Sequence, residues 1–224
     1  MRNVLLVLVP FLLGSGPSGA TLVGHVTFTR NGKEVAYEDG LVYLQEPGRR
    51  HKALGSAVKA EIVQKGKNFV PTSLVVPLGA TVSFPNADSE EHNVFSPVAP
   101  RFNLGRYTTD PKGKPHVFDT ADEFYIYCDI HPKMEASVKV VATHPEWIMR
   151  VTGGAFSLGN IPDGHYKLGA WVPHIEDDVF VDIVVENGNV TATPSLDKIH
   201  IDLPAIPPHR RADGTPYCAY PPNC

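Results

Sequence analysis

The sequence predicts an all-β protein made of two β-sandwiches, and three observations carry that expectation. The 21 prolines and 19 glycines are spread along 224 residues, and prolines at such intervals break any long helix. Apolar and polar residues alternate over short stretches, the period of a half-buried strand. Turn signals such as Asn31-Gly32, Pro85-Asn86, Pro162-Asp163-Gly164 and Asn187-Gly188 separate those stretches. A composition of 42% hydrophobic and 20% charged residues is that of a folded chain, not a disordered one. The net charge of −4 argues against a nucleic-acid binder, which usually shows a basic face.

In chain order, residues 1–20 read as a cleaved leader. Arg2 supplies the positive start, Val4 to Leu13 the apolar run, and Ser18-Gly19-Ala20 the small residues before the cut. The run is too short for a membrane anchor, which needs about 20 apolar residues. No later segment of the mature chain reads as a transmembrane span. The expected location is therefore the periplasm or the medium. Residues 21–46 hold two strands, Val23 to Phe28 and Leu41 to Leu44, around the Asn31-Gly32 turn. Residues 47–58 are polar and turn-rich and read as a linker.

From Val58 to Ala142 short strands follow one another: Glu61 to Gln64, Leu74 to Pro77, Thr81 to Phe84, His116 to Phe118, Phe124 to Tyr127 and Ser137 to Val141. Residues 97–115, rich in Gly, Pro and Thr, read as a long excursion. Residues 147–203 resume the pattern with Ala155 to Leu158, His165 to Trp171 and Val179 to Val185. Residues 204–224 are Pro-rich and read as an extended tail.

Chemistry concentrates in Tyr127-Cys128-Asp129-Ile130-His131-Pro132-Lys133-Met134, with His92 upstream in Glu91-His92-Asn93-Val94. Cys128, His131 and Met134 stand three residues apart. Thiolate and thioether select copper, and two imidazoles with a thiolate and a weak axial Met describe a blue-copper site. Zinc is the competing reading, but Met is a poor zinc ligand. A second alternative makes Cys128 and Met134 simple packing residues. Alternation along β-structure puts Phe124, Ile126 and Cys128 on one apolar face. His131 and Met134 then follow on a loop nearer solvent. The other histidines (His25, His51, His116, His144, His165, His174, His200, His209) are scattered and read as surface or core residues. Asp129 and Lys133 read as solvated loop residues. The three cysteines leave one unpaired: Cys218 and Cys224 read as a short disulfide loop in the tail, with two free thiols as the alternative.

Residues 60–142 resemble a cupredoxin, the blue-copper Greek-key sandwich of plastocyanin, pseudoazurin and amicyanin. The matching residues are Asn68-Phe69-Val70-Pro71, Leu78 to Phe84, Asn86-Ala87-Asp88, His92-Asn93-Val94 and Cys128 to Met134, whose Cys-x2-His-x2-Met spacing is nearest to amicyanin. The chain departs from the pattern at Ile130, where Pro is common. The resemblance implies His92, Cys128 and His131 as equatorial ligands of one mononuclear type 1 copper, Met134 as the axial ligand, and Asn93 as a brace between the ligand loops. Residues 22–46 and 147–185, the latter with Asn160-Ile161-Pro162-Asp163-Gly164 and Tyr166-Lys167-Leu168, resemble the two halves of a carboxypeptidase-regulatory-like (transthyretin-like) sandwich. The whole layout resembles the methylamine-utilisation-like cupredoxin proteins, with the cupredoxin at 58–142 inserted between halves at 21–46 and 147–203.

With every ligand supplied by protein, no position is open for a substrate, so the expectation is a one-electron carrier with a redox protein partner, and not an enzyme. Docking is expected on an apolar patch near Pro97 and Pro132. The alternative is a copper-binding structural or interaction protein whose second sandwich binds a partner or the cell surface.

Overall fold

The computed structural model describes residues 19–48, 58–197, 199–205 and 209–215. In chain order the first segment forms β1 (Ala20–Arg30), β2 (Lys33–Glu34) and β3 (Leu41–Gln45). The middle segment forms β4 (Lys59–Glu61), β5 (Val63–Gln64), β6 (Phe69–Val70), β7 (Ser73–Pro77), β8 (Ala80–Asn86) and β9 (His92–Ser96). It continues with β10 (Phe102–Tyr107), β11 (Asp110–Phe118), β12 (Glu123–Tyr127) and β13 (Glu135–Val141). After a 3-10 turn at Pro145–Trp147 come β14 (Ile148–Arg150), β15 (Ala155–Ile161), β16 (Gly164–Trp171), β17 (Val179–Glu186), β18 (Asn189–Thr193) and β19 (Ile199–Asp202). The architecture is all-β and sandwich-like. Among the described residues no helix is long and apolar enough to cross a membrane.

The strands sort into four sheets. Two are built from the first and last segments, ordered β15-β1-β19 (with β2 on β1) and β14-β3-β16-β17-β18. Their apolar faces meet in one core: Leu22, Val26, Phe28, Phe156, Leu158, Ile199 and Ile201 from the first sheet, Val42, Leu44, Leu168, Val181, Ile183 and Val185 from the second. Alternation produces this directly. In β19 the two isoleucines are buried while His200 and Asp202 are exposed. Asn31 and Gly32 both take positive φ (53° and 72°), the two left-handed residues that a tight hairpin turn requires between β1 and β2.

The other two sheets come from the middle segment, ordered β10-β9-β12-β13-β7 and β11-β8-β5-β6, with β4 also on β8. Neighbours remote in sequence, such as β9 with β12 and β7 with β13, require connections that cross between sheets. The core between them holds Ile62, Phe69, Val82, Phe84 and Phe118 from one sheet against Val76, Val94, Phe124, Ile126, Val138 and Val140 from the other. A third, smaller cluster joins the two bodies: Leu41, Tyr43 and Trp171 pack against Val75 and Val141. Around it Lys139 Nζ pairs with Asp178 (2.8 Å), whose carboxylate also accepts from the Tyr43 hydroxyl. Burial and the Asp178 charge both push the Tyr43 phenol up, so it stays a neutral donor.

The excursion expected at 97–115 is instead strand-forming: Phe102–Tyr107 pairs with β9 and Asp110–Phe118 with β8. Its alternation is hidden for a physical reason. β10 is a sheet edge with no fully buried residue, and its register shifts between Asn103 and Arg106, around Gly105 at φ 71°. In β11, Gly113 lies so close to β8 that an added Cβ would sit 2.2 Å from the Pro85 nitrogen. β14, β18 and β19 are three to five residues long, too short to carry a period on their own. The expected leader falls outside the described residues except for Gly19 and Ala20; Ala20 is buried and opposes Ile161 in β1. Most of the expected linker, His51, and the tail cysteines Cys218 and Cys224 also lie outside them.

Candidate metal centre

β12 delivers Cys128. Its inward residues Phe124, Ile126 and Cys128 are all buried, and Cys128 is the first residue past the strand end. β9 delivers His92 as its first residue, with the side chain wholly buried. The segment after Cys128 is closed by two backbone hydrogen bonds: the Met134 N–H donates to the His131 carbonyl (3.0 Å), and the Cys128 N–H donates to the Met134 carbonyl (3.2 Å). That closure turns His131 back toward Cys128.

The result is a convergent donor set. His92 Nδ1 and His131 Nδ1 are 3.0 Å apart, and Cys128 Sγ is 3.6 Å from His131 Nδ1. The ligand atoms of all three lie within 4.8 Å of one another, the one such grouping of three or more His, Cys, Asp or Glu among the described residues. Bonds of about 2.0–2.3 Å at trigonal or tetrahedral angles put donor atoms about 3.3–3.8 Å apart, so one small transition-metal ion fits between these atoms with minor adjustment. The three converging groups are soft, a thiol and two imidazoles, and the Met134 thioether is buried in the same core cluster as Cys128. His25, His116, His144, His165, His174, His200 and His209 contribute nothing to this group.

The outer partners set the tautomer. His92 Nε2 lies 2.8 Å from Asp88 Oδ2, so Nε2 carries the proton and Nδ1 presents its lone pair to the centre. Asp88 is itself fixed by the Gly66 N–H (2.8 Å) and Lys67 N–H (3.1 Å). Those two donors first, then His92, hold the Asp88 carboxyl down at about 2. Asn86 ties the same corner together, donating through Nδ2 to the carbonyls of Glu90 and Tyr107 (both 3.0 Å). His131 is the exposed member, its side chain 20% accessible, with Nε2 3.7 Å from Glu90, which also pairs with Lys67 (2.9 Å). Partial burial first, then the neighbouring His92 and Lys67, lower the His131 pKa and favour its neutral, metal-binding form.

Three placements differ from the sequence reading. Met134 is fully buried rather than near solvent, because the chain re-enters the core to start β13. Asn93 does not brace the loop carrying Cys128: its Nδ2 donates to Asn103 Oδ1 (2.8 Å) on the neighbouring strand β10. Asp129 is a tied residue, not a solvated one, with Oδ2 2.8 Å from Arg106 and Oδ1 accepting the Ala212 N–H (3.1 Å). Asp88 was legible only as part of the Asn86-Ala87-Asp88 string; its role depends on a turn that no spacing rule reveals.

No protein-family model matches the chain, and no curated protein matches it. Among solved structures it is similar to a purple cupredoxin from Nitrosopumilus maritimus (28% identity, TM-score 0.32), covering 37% of this chain and 99% of that one. It is also similar to amicyanin from Paracoccus versutus (18% identity, TM-score 0.35), covering 44% of this chain and 98% of that one. A reduced amicyanin carrying a single substitution is comparable (19% identity, TM-score 0.35), covering 40% of this chain and 88% of that one.

Proposed function

We propose that this chain is an exported type 1 copper protein that carries one electron at a time between redox proteins outside the cytoplasm. The observation that carries the reading is the donor set itself, with His92 Nδ1, Cys128 Sγ and His131 Nδ1 converging beside a buried Met134. Zinc is disfavoured by the thioether and by the lack, among the described residues, of a fourth Cys, His or carboxylate in the grouping. A copper ion held there supplies a one-electron couple tuned by its thiolate and thioether neighbours.

The rest is done by the chain. Cys128 and His92 are sealed in the apolar core, which excludes water from the thiol and holds the donors in a low-dielectric setting. Of the three, His131 alone reaches the surface, so its ring edge is the contact point for a partner. Pro132 and Pro97 are exposed and offer apolar contacts, while Glu90 and Lys67 mark one side with opposite charges. A small, weak interface of this kind suits brief encounters.

The same reading makes residues 58–142 a copper sandwich inserted in a carboxypeptidase-regulatory-like sandwich formed by 21–46 and 147–203. The segregation of strands into separate sheet pairs, each with its own core, supports it. Export rests on the leader read at 1–20. Voltammetry of the copper-loaded protein tests the function: the expected result is a reversible one-electron wave. A protein that binds copper but shows no reversible wave would be a copper-holding interaction module instead.

A further inference from the structure

Residues 123, 125 and 127 lie on the face of β12 opposite Phe124 and Ile126, and Asp129 comes two residues past the strand end. Each is engaged by chain that comes after residue 170. Glu123 accepts hydrogen bonds from Trp171 Nε1 and from the His174 N–H (both 3.1 Å). Tyr125 stacks on the His174 ring, with centroids 4.5 Å apart and planes 12° apart. Tyr127 stacks on His209, at 4.0 Å and 7°. Asp129 accepts the Ala212 N–H. The segment at 209–215 therefore touches the residues on both sides of Cys128.

We propose that Trp171, His174, His209 and Ala212 form a clamp that positions the Cys128–Met134 loop, and that the tail segment is a working part of the centre. The physical reason is the chain on either side of Cys128. Tyr127 and Asp129 flank it directly; when one ring and one carboxylate are pinned, the Cys128 backbone has little freedom left and Sγ keeps one direction. Inward packing alone fixes only alternate residues of β12. The outward contacts fix the others. These are positioning residues: they act through Glu123, Tyr125, Tyr127 and Asp129. The copper reading is needed for only one of the two measurements below.

The test compares the full-length protein with His209→Ala, His209→Phe and Ala212→Pro. Proline removes the N–H that Asp129 accepts, and phenylalanine keeps a flat ring for Tyr127. In the metal-free protein, exchange of the Cys128 and Met134 amides is expected to quicken about three- to tenfold in His209→Ala and Ala212→Pro, the free energy of one such contact read as a rate ratio. Exchange at Val138 and Val140 in β13 is expected to stay at the parental rate, and His209→Phe to recover most of the protection. In the copper-loaded protein, the reduction potential is expected to move in His209→Ala and Ala212→Pro and to return in His209→Phe.

Parental loop exchange in both His209→Ala and Ala212→Pro overturns the proposal. So does a faster loop with an unmoved potential, because the donors would then be set without the clamp. An even acceleration across β13 that His209→Phe does not repair overturns it too, as plain destabilisation. If the parent shows no thiolate-to-copper band while His209→Ala still loosens the loop, the copper reading fails and the clamp stands.

Discussion

The core around Leu22, Phe28, Leu44, Leu168 and Ile183 is lined by aliphatic and aromatic side chains, whereas the core around Phe84, Phe124 and Val138 takes in the Cys128 thiol and the Met134 thioether, with the buried His92 imidazole beside them. Both come from the same alternation of strands closing face to face. In the first, the inward positions are apolar packing residues. In the second, one end gives up apolar packing to groups that cost free energy when buried without partners. The compensation there is local and specific: Asp88 for His92, two backbone bonds for the Cys128 loop, and Asn86 across the corner. The comparison separates stability from function, and that separation can be attacked directly.

The largest expected effect is at Cys128. Cys128→Ser removes the thiolate, and the prediction is complete loss of the charge-transfer band. Copper(II) affinity is expected to fall by more than the roughly 100-fold typical of losing an outer partner. Retained colour in that variant would remove Cys128 from the centre. Next comes Leu168→Ala in the other core, where a fully buried leucine on a central strand is shortened. Denaturant unfolding is expected to show a loss of about 2–5 kcal/mol. The copper spectrum of the folded fraction should be unchanged; a changed spectrum would mean that the two cores are not separate in function.

A smaller effect is expected for Met134→Gln, which keeps the side chain's bulk and replaces the thioether of the proposed axial ligand. Copper should remain bound with a shifted potential, since the axial group tunes it. An unmoved potential would leave Met134 as a packing residue only. The smallest effect is a pH slope. Burial lowers the pKa of His174 and of His209 below the usual 6.5. The unfolded chain therefore takes up these protons first as pH falls. Their contribution is fully present above 6.5 and is lost below it, toward the lowered folded values. Thermal melts from about pH 7.5 to about 5.5, spanning the ordinary histidine range, should show a shallower loss in a His174→Asn, His209→Phe double variant than in the parent. Equal slopes would place the pH response elsewhere.

Cys128, His131 and Met134 stood out in the sequence because they are close together and carry side chains that few other patterns bring together. Most long strands were legible because a half-buried sheet writes a period of two into the chain. β10 was not, because an edge strand buries nothing fully and Gly105 breaks its register. The burial of Met134 was not, because a loop residue is placed by where the chain goes next. The Asp129–Ala212 and Tyr127–His209 contacts span more than eighty residues and join an acid, an amide, a tyrosine and a histidine with no pattern of their own. Only the packed structure brings them together.

The central claim is that one copper ion is held by the Cys128 thiolate and two imidazoles. The visible absorption spectrum of the purified protein after loading with copper(II) tests it most directly. The account predicts a strong thiolate-to-copper charge-transfer band that reductant bleaches and oxidant restores. A folded β protein that takes copper(II) and shows no such band would contradict it.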